Sequence, residues 1–176
     1  ELWRAYVTGV GGMGIGVITA ILVRAGYKEG YAVHFADKKG LAIRNGGVYS
    51  HITYAKGGAS ISPIVPYGKA DLMLAIDILE GVRGLDPRLN MRIAHPQRTA
   101  AIVNTEKTPT IRTLIGEDDF DIFELEQTIQ KYTRREEYFG TNISEISQRL
   151  LGDKLYANLI MLGIAYQRGQ LPITLQ

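Results

Sequence analysis

Trp3-Arg4-Ala5-Tyr6-Val7-Thr8 is a short β-prone run that stops at a glycine, and it predicts a strand. Gly9-Val10-Gly11-Gly12-Met13-Gly14-Ile15-Gly16 follows. From Ile15 to Tyr27 the chain is apolar and free of proline, with Ile18, Leu22 and Ala25 at helical spacing. Tyr31 to Ala36 predicts a second strand that ends at Asp37, which completes a βαβ unit. Lys38 to Gly47 reads as a basic loop with a paired-glycine turn. Val48 to Ala55 alternates as a strand does, and Lys56-Gly57-Gly58 ends it. Pro63 and Pro66 bracket an extended stretch expected at a sheet edge. Leu72 to Ile76 is unbroken apolar sequence between Asp71 and Asp77, as in a strand buried on both faces, and Ala100 to Asn104 is a further strand.

The C-terminal part reads as helical. Ile122, Leu125, Ile129 and Tyr132 recur at spacings of 3, 4 and 3, the apolar stripe of a surface helix. Ser144 heads a second helix, carrying Ile146 and Leu150 and stopping at Gly152. Lys154 to Arg168 forms a third, ended by Gly169 and Pro172. Leu155, Leu159, Leu162 and Tyr166 make one face of it, but Ile160, Met161 and Ile164 are apolar too, so burial almost all round is expected. The expected fold is α/β: a three-layer, Rossmann-like, mostly parallel sheet with a helical C-terminal part. Residues 1–176 form one domain.

Composition narrows the function. A chain of 176 residues should bury roughly 70% of its unfolded surface. Lys plus Arg exceed Asp plus Glu by 20 to 18, and the +2 balance shows no basic face, so nothing points to nucleic acid. There is no cysteine, which excludes a disulfide, a Cys-ligated iron–sulfur cluster and a Cys zinc site within this chain. Three scattered histidines give no dedicated metal site. No apolar run reaches the ~18 residues of a membrane helix and no signal segment precedes the first strand, so a cytoplasmic location is expected. The start at Glu1, almost directly into a strand, suggests an excised or trimmed piece of a longer chain.

Gly9-x-Gly11-x-x-Gly14 lies between a predicted strand and helix, the setting of a dinucleotide fingerprint. There the first glycine allows a tight turn, the second admits an anion to the backbone amides, and the third permits close helix–strand packing. Asp37, 23 residues beyond Gly14, is placed to hold a ribose hydroxyl. A free-standing NAD(P)-binding domain is thus one reading. Against it, a basic loop leads straight into the Val48 strand, with no room for the helix a second dinucleotide half requires.

Five ordered blocks resemble another family. They are Gly9 to Gly16; Gly40-Leu41-Ala42-Ile43-Arg44-Asn45-Gly46-Gly47-Val48-Tyr49-Ser50-His51; Ala70 to Asp77; Ile102-Val103-Asn104-Thr105; and Gly152-Asp153-Lys154-Leu155-Tyr156-Ala157-Asn158 with Met161-Leu162-Gly163. Over nearly the whole chain they resemble the gamma subunit or domain of 2-oxoacid:ferredoxin oxidoreductases. Thr105-Glu106-Lys107-Thr108-Pro109-Thr110 is most similar to the indolepyruvate branch. Arg44-Asn45-Gly46-Gly47 departs from the pattern, where a basic residue should precede the glycine pair directly.

The resemblance implies decarboxylation of an aryl 2-oxo acid on thiamine diphosphate and Mg, transfer of the acyl group to coenzyme A, and passage of electrons through iron–sulfur clusters to ferredoxin or another acceptor. Without cysteine, and without a Gly-Asp-Gly run followed by a metal-holding Asn, this chain houses neither cofactor. Both belong on partner subunits or on the rest of a longer chain, and no catalytic residue or metal ligand is assigned to this chain. Gly9, Gly11, Gly12 and Gly14 either receive coenzyme A phosphates or pack a turn against a partner. Arg44, Asn45, Gly46 and Gly47 form the second such loop; Arg44 either grips a carboxylate or phosphate or forms an interface salt bridge. Lys38 and Lys39 extend a positive surface or are merely solvated. Ser50 and His51 face opposite ways in a strand, so they are no nucleophile–base pair, and His51 is expected to be structural. Asn158 is expected to tie its helix to a loop.

Overall fold

A computed structural model describes residues 1–39, 47–58, 60–86, 92–108 and 120–175. The strands are β1 (Leu2–Val10), β2 (Ala32–Lys39), β3 (Gly47–Ala55), β4 (Leu72–Ala75), β5 (Ala100–Asn104) and β6 (Tyr138–Thr141). They form one sheet in the order β2-β3-β1-β4-β5-β6. β1, β4, β5 and β6 pair in parallel, whereas β3 is antiparallel to both β1 and β2. The sheet is therefore mostly parallel, with β3 alone reversed. The helices are α1 (Ile15–Lys28), α2 (Ile78–Arg83), α3 (Ile122–Tyr132), α4 (Ile143–Leu151) and α5 (Ala157–Gln167).

Strand alternation sorts the core into two layers. Ala5 and Val7 of β1, Leu72 and Leu74 of β4, and Ala100 and Ile102 of β5 face α1 and α5. Tyr6, Met73, Ala75, Ala101 and Val103 face the α2 and α3 side, where Ile78 and Ile129 meet them. All four residues of β4 are buried, as expected of a central strand covered on both faces. Among the described residues no helix is long and apolar enough to cross a membrane.

Several elements differ from the sequence reading. The βαβ unit is split, because β3 lies between β1 and β2. β2 runs past Asp37 to Lys39, so Asp37 is a strand residue paired with Ser50. The Pro63–Pro66 stretch is irregular, and the sheet edges are β2 and β6. Short α2 and half-buried β6 escape the periodicity test: six and four residues hold too few repeats. α4 is capped by Asn142, which accepts from the Glu145 amide, and not by Ser144. Leu150 of α4 is 75% exposed, and Leu159 of α5 is 47% exposed. α5 is apolar all round but not buried all round.

Candidate functional site

The sheet's carboxyl ends and the α1 start enclose a crevice of about 500 Å³. Its lining comes from the glycine loop after β1, Ile76 after β4, Asn104 and Glu106 at and after β5, Ser144 at the start of α4, and the turn into α5. The connection after β1 runs over one face of the sheet and that after β4 over the other. The crevice thus lies outside the strand ends at a switch point, where open α/β sheets take ligands.

The glycines play different parts from those the fingerprint assigns. Gly9 is still in β1, paired with Val48, and a Cβ there would press on Ile15 and Ile76 at 3.1 and 3.3 Å. The first glycine therefore serves helix–strand packing. The turn itself spans Gly11 and Gly12, closed by the Met13 amide donating to the Val10 carbonyl. Gly12 and Gly14 hold φ of 89° and 80°, a region that L side chains enter at a cost of roughly 1–2 kcal/mol. Gly14 is the N-cap of α1 and offers no side-chain cap, and no acidic residue occupies the first turn. That leaves the positive dipole end and its amide groups facing the crevice without a cap or an acidic side chain from their own helix. From the opposite wall, the Asn158 side-chain amide donates to the Met13 carbonyl at 2.5 Å and fixes the loop to α5.

Gly47 opens β3 opposite Val10, so the foot of the second candidate loop adjoins the glycine loop. A Cβ at Gly47 would overlap the carboxylate of buried Glu80. Burial raises the Glu80 carboxyl above its ordinary range, despite the Arg83 ion pair. Arg44, Asn45 and Gly46 lie outside the described residues.

Asp37 does not reach the glycine loop. It accepts a hydrogen bond from Ser50 Oγ, which also accepts from Thr19 Oγ1. Two interstrand spacings, about 10 Å, separate β2 from β1. A ribose acid requires the strand next to β1, and here that strand is the reversed β3. His51 faces the other layer, where its Nδ1 accepts from the Val65 amide at 3.0 Å. Burial, with Lys38 adding to it, lowers its pKa to about 4. It is a structural histidine.

The sequence reading passed over the polar end of the crevice. Asn104 Oδ1 accepts from the Ile143 and Glu106 amides, and Asn104 Nδ2 donates to Ser144 Oγ at 2.9 Å. Lys154 Nζ donates to Glu106 Oε1 at 2.5 Å, and both residues line the crevice. Burial pushes the Glu106 carboxyl up, but hydrogen bonds from Lys154 and Ser144 and the ammonium charge hold it below its ordinary range. Glu106 and Lys154 are 48 positions apart, so no local spacing signals the pair.

Residues 4–176 match the model of the pyruvate ferredoxin/flavodoxin oxidoreductase family. The chain is 30% identical over 164 residues to indolepyruvate oxidoreductase subunit IorB of Methanothermobacter thermautotrophicus, covering 93% of this chain and 77% of that one. The protein of the same name from Archaeoglobus fulgidus is 29% identical over 177 residues, with 97% and 79% covered. Among solved structures, pyruvate oxidoreductase subunit PORC of Thermotoga maritima superposes with a TM-score of 0.61 at 16% identity, over 98% of this chain and 79% of that one. The 2-oxoglutarate:ferredoxin oxidoreductase of Magnetococcus marinus, solved with 2-oxoglutarate, coenzyme A and succinyl-CoA, gives 0.60 at 16% identity, over 94% of this chain but 24% of that one. These two likenesses show the shared fold. The chain belongs to the pyruvate ferredoxin/flavodoxin oxidoreductase family, as a component of a 2-oxoacid:ferredoxin oxidoreductase.

Proposed function

We propose that this chain is the gamma component of a complex that oxidatively decarboxylates an aryl 2-oxo acid to its acyl-CoA and passes the electrons to ferredoxin. The aryl preference is supported by the indolepyruvate oxidoreductase names of its relatives. Thiamine diphosphate would supply the decarboxylation chemistry and iron–sulfur clusters the electron path. This chain does not fit either: it has no cysteine, and among the described residues no three His, Asp or Glu converge on one point. Both groups are accordingly assigned to partner subunits, and this chain contributes binding surface.

The observation that carries the reading is the uncapped start of α1 behind Gly12 and Gly14, open to the crevice. Backbone N–H groups and the helix dipole favour an anion there, and the phosphates of coenzyme A are the anion this reaction offers. A second reading, in which the same surface packs against a partner subunit, is favoured by the rim. Val17 and Leu155 are 60% and 76% exposed, and Leu159 is nearly half exposed.

Gly12→Asp separates the two. A Cβ at Gly12 meets nothing within 4 Å, and Asp at its positive φ costs roughly 1–2 kcal/mol, less than the stability of an ordinary domain, so the fold should survive. In the assembled complex the added carboxylate should raise KM for coenzyme A by about tenfold and leave KM for the 2-oxo acid nearly unchanged. An unchanged coenzyme A KM would rule the phosphate role out, and a complex that no longer assembles would favour packing.

A further inference from the structure

We infer that the groove between α1 and α5 seats a helix of a partner subunit, apolar along one stripe and acidic on its flank. The groove measures about 700 Å³, and Ile21, Ile160, Gly163, Ile164, Arg168 and Leu175 line it. It shares no lining residue with the crevice at the strands' carboxyl ends. Its apolar walls open to solvent: Ile21 is 36% exposed and Leu175 79%. An exposed apolar groove between two helices is a setting in which an amphipathic helix docks.

Gly163 is the observation that calls for an occupant. It lies inside α5 and is exposed, and a Cβ there would meet nothing within 4 Å. It is not among the glycines with positive φ. Neither a turn nor packing within this chain asks for glycine, which weakens a helix interior relative to alanine. Gly26 in α1 and Gly81 in α2 differ: a Cβ would strike Tyr54 at 2.7 Å or Ala75 at 2.8 Å. Free space over a helical glycine admits another backbone closely. Between two helices, a third fits that space by ridge-into-groove packing, with its axis roughly 8–10 Å away.

Charge selects the helix. α1 and α5 together carry Arg24 and Lys28 and no acidic residue, and Arg168 stands directly after α5. Ile21, Arg24 and Lys28 follow one another at spacings of 3 and 4, on one stripe of α1. Arg24 and Lys28 are exposed and make no ion pair among the described residues. Arg168 lies over the Phe139 ring and donates to the Glu136 carbonyl, not to a carboxylate. Glu29, beside Lys28, accepts from the Thr174 amide and hydroxyl. A second copy meeting this face across a two-fold axis would set cation against cation or against uncharged α5. A helix that flanks its apolar stripe with carboxylates gains ion pairs instead.

The inference rests on the proposed function only in that this chain works inside a complex; it needs no particular 2-oxo acid. Gly163→Leu and Arg24→Glu would each be introduced into the chain through which the complex is purified, and each chain would also be melted alone. Leu favours the helix and enters open space, so Gly163→Leu should raise the Tm of the isolated chain by about 2–3 °C. In the complex it should weaken partner binding at least about tenfold, read as subunits lost on dilution. Arg24→Glu gains an i,i+4 pair with Lys28, so the isolated chain should melt no lower. Its complex should lose affinity, more at low salt than at high. Weakened binding in both variants sustains the inference. Binding equal to wild type in both overturns it and leaves the proposed function standing. A lower Tm for isolated Gly163→Leu also overturns it, since this chain itself would then need the glycine. A wild-type chain that self-associates, and turns monomeric in Gly163→Leu, overturns it in favour of a second copy. If wild type purifies with no other subunit, the proposed function fails and the docking surface falls with it.

Discussion

His51 shows how one residue couples packing to pH. It is 4% exposed, and its Nδ1 must be unprotonated to accept from the Val65 amide. With a folded-state pKa near 4 against an ordinary 6.5, the unfolded chain binds the proton first as pH falls. Stability is therefore unaffected above pH 6.5, declines between 6.5 and 4, and levels off below that, by up to roughly 3 kcal/mol. Asn can accept the same amide hydrogen bond without titrating. Urea unfolding of His51→Asn between pH 7 and 4 should thus lack this part of the decline; an equal decline in both proteins would mean that other groups carry it. His51 was readable as structural because Ser50 beside it faces the other way. Its partner was not readable, since Val65 lies in an irregular stretch with no pattern to place it.

At the scale of elements, hydrophobic periodicity located what was long and central. The runs behind β1, α1, β4, β5 and α3 are each close to their observed bounds, because their apolar positions all meet the same sheet. It also located α4 to within a residue, but it did not tell which of that helix's residues face this chain's own core. α4 buries Ile143, Ser144 and Ser147, whereas Leu150 and Leu151 are exposed. A Leu74→Ala change in β4, at 1% exposure, should cost about 2–5 kcal/mol in isolated-chain unfolding. Leu150→Ala should cost less than about 0.5 kcal/mol. Comparable losses would mean that α4 turns its Leu150 face inward. The glycine motif was legible as a loop between strand and helix, but its chemistry was not. Gly9 takes the packing role that the fingerprint gives the third glycine, and the turn falls on Gly11 and Gly12, because pairing with β3 carries β1 past Gly9. The Glu106–Lys154 pair was hidden by sequence distance alone.

The whole molecule is a sheet with one reversed strand, a ligand-sized crevice at its carboxyl ends and an apolar rim that its own core leaves uncovered. The reversed β3 removes Asp37 from the glycine loop, and with it the geometry for a dinucleotide. With no cysteine, this sequence holds no thiolate ligand for an iron–sulfur cluster. Both facts follow from the central claim that this chain works as a non-redox component of a larger oxidoreductase. The most direct test is the composition and activity of the native complex purified through this chain. Co-purifying partner subunits with bound iron and thiamine diphosphate, and coenzyme A-dependent ferredoxin reduction by an aryl 2-oxo acid, are predicted. A chain isolated alone or as a homo-oligomer, without iron or thiamine diphosphate and binding NAD(H), would contradict the account.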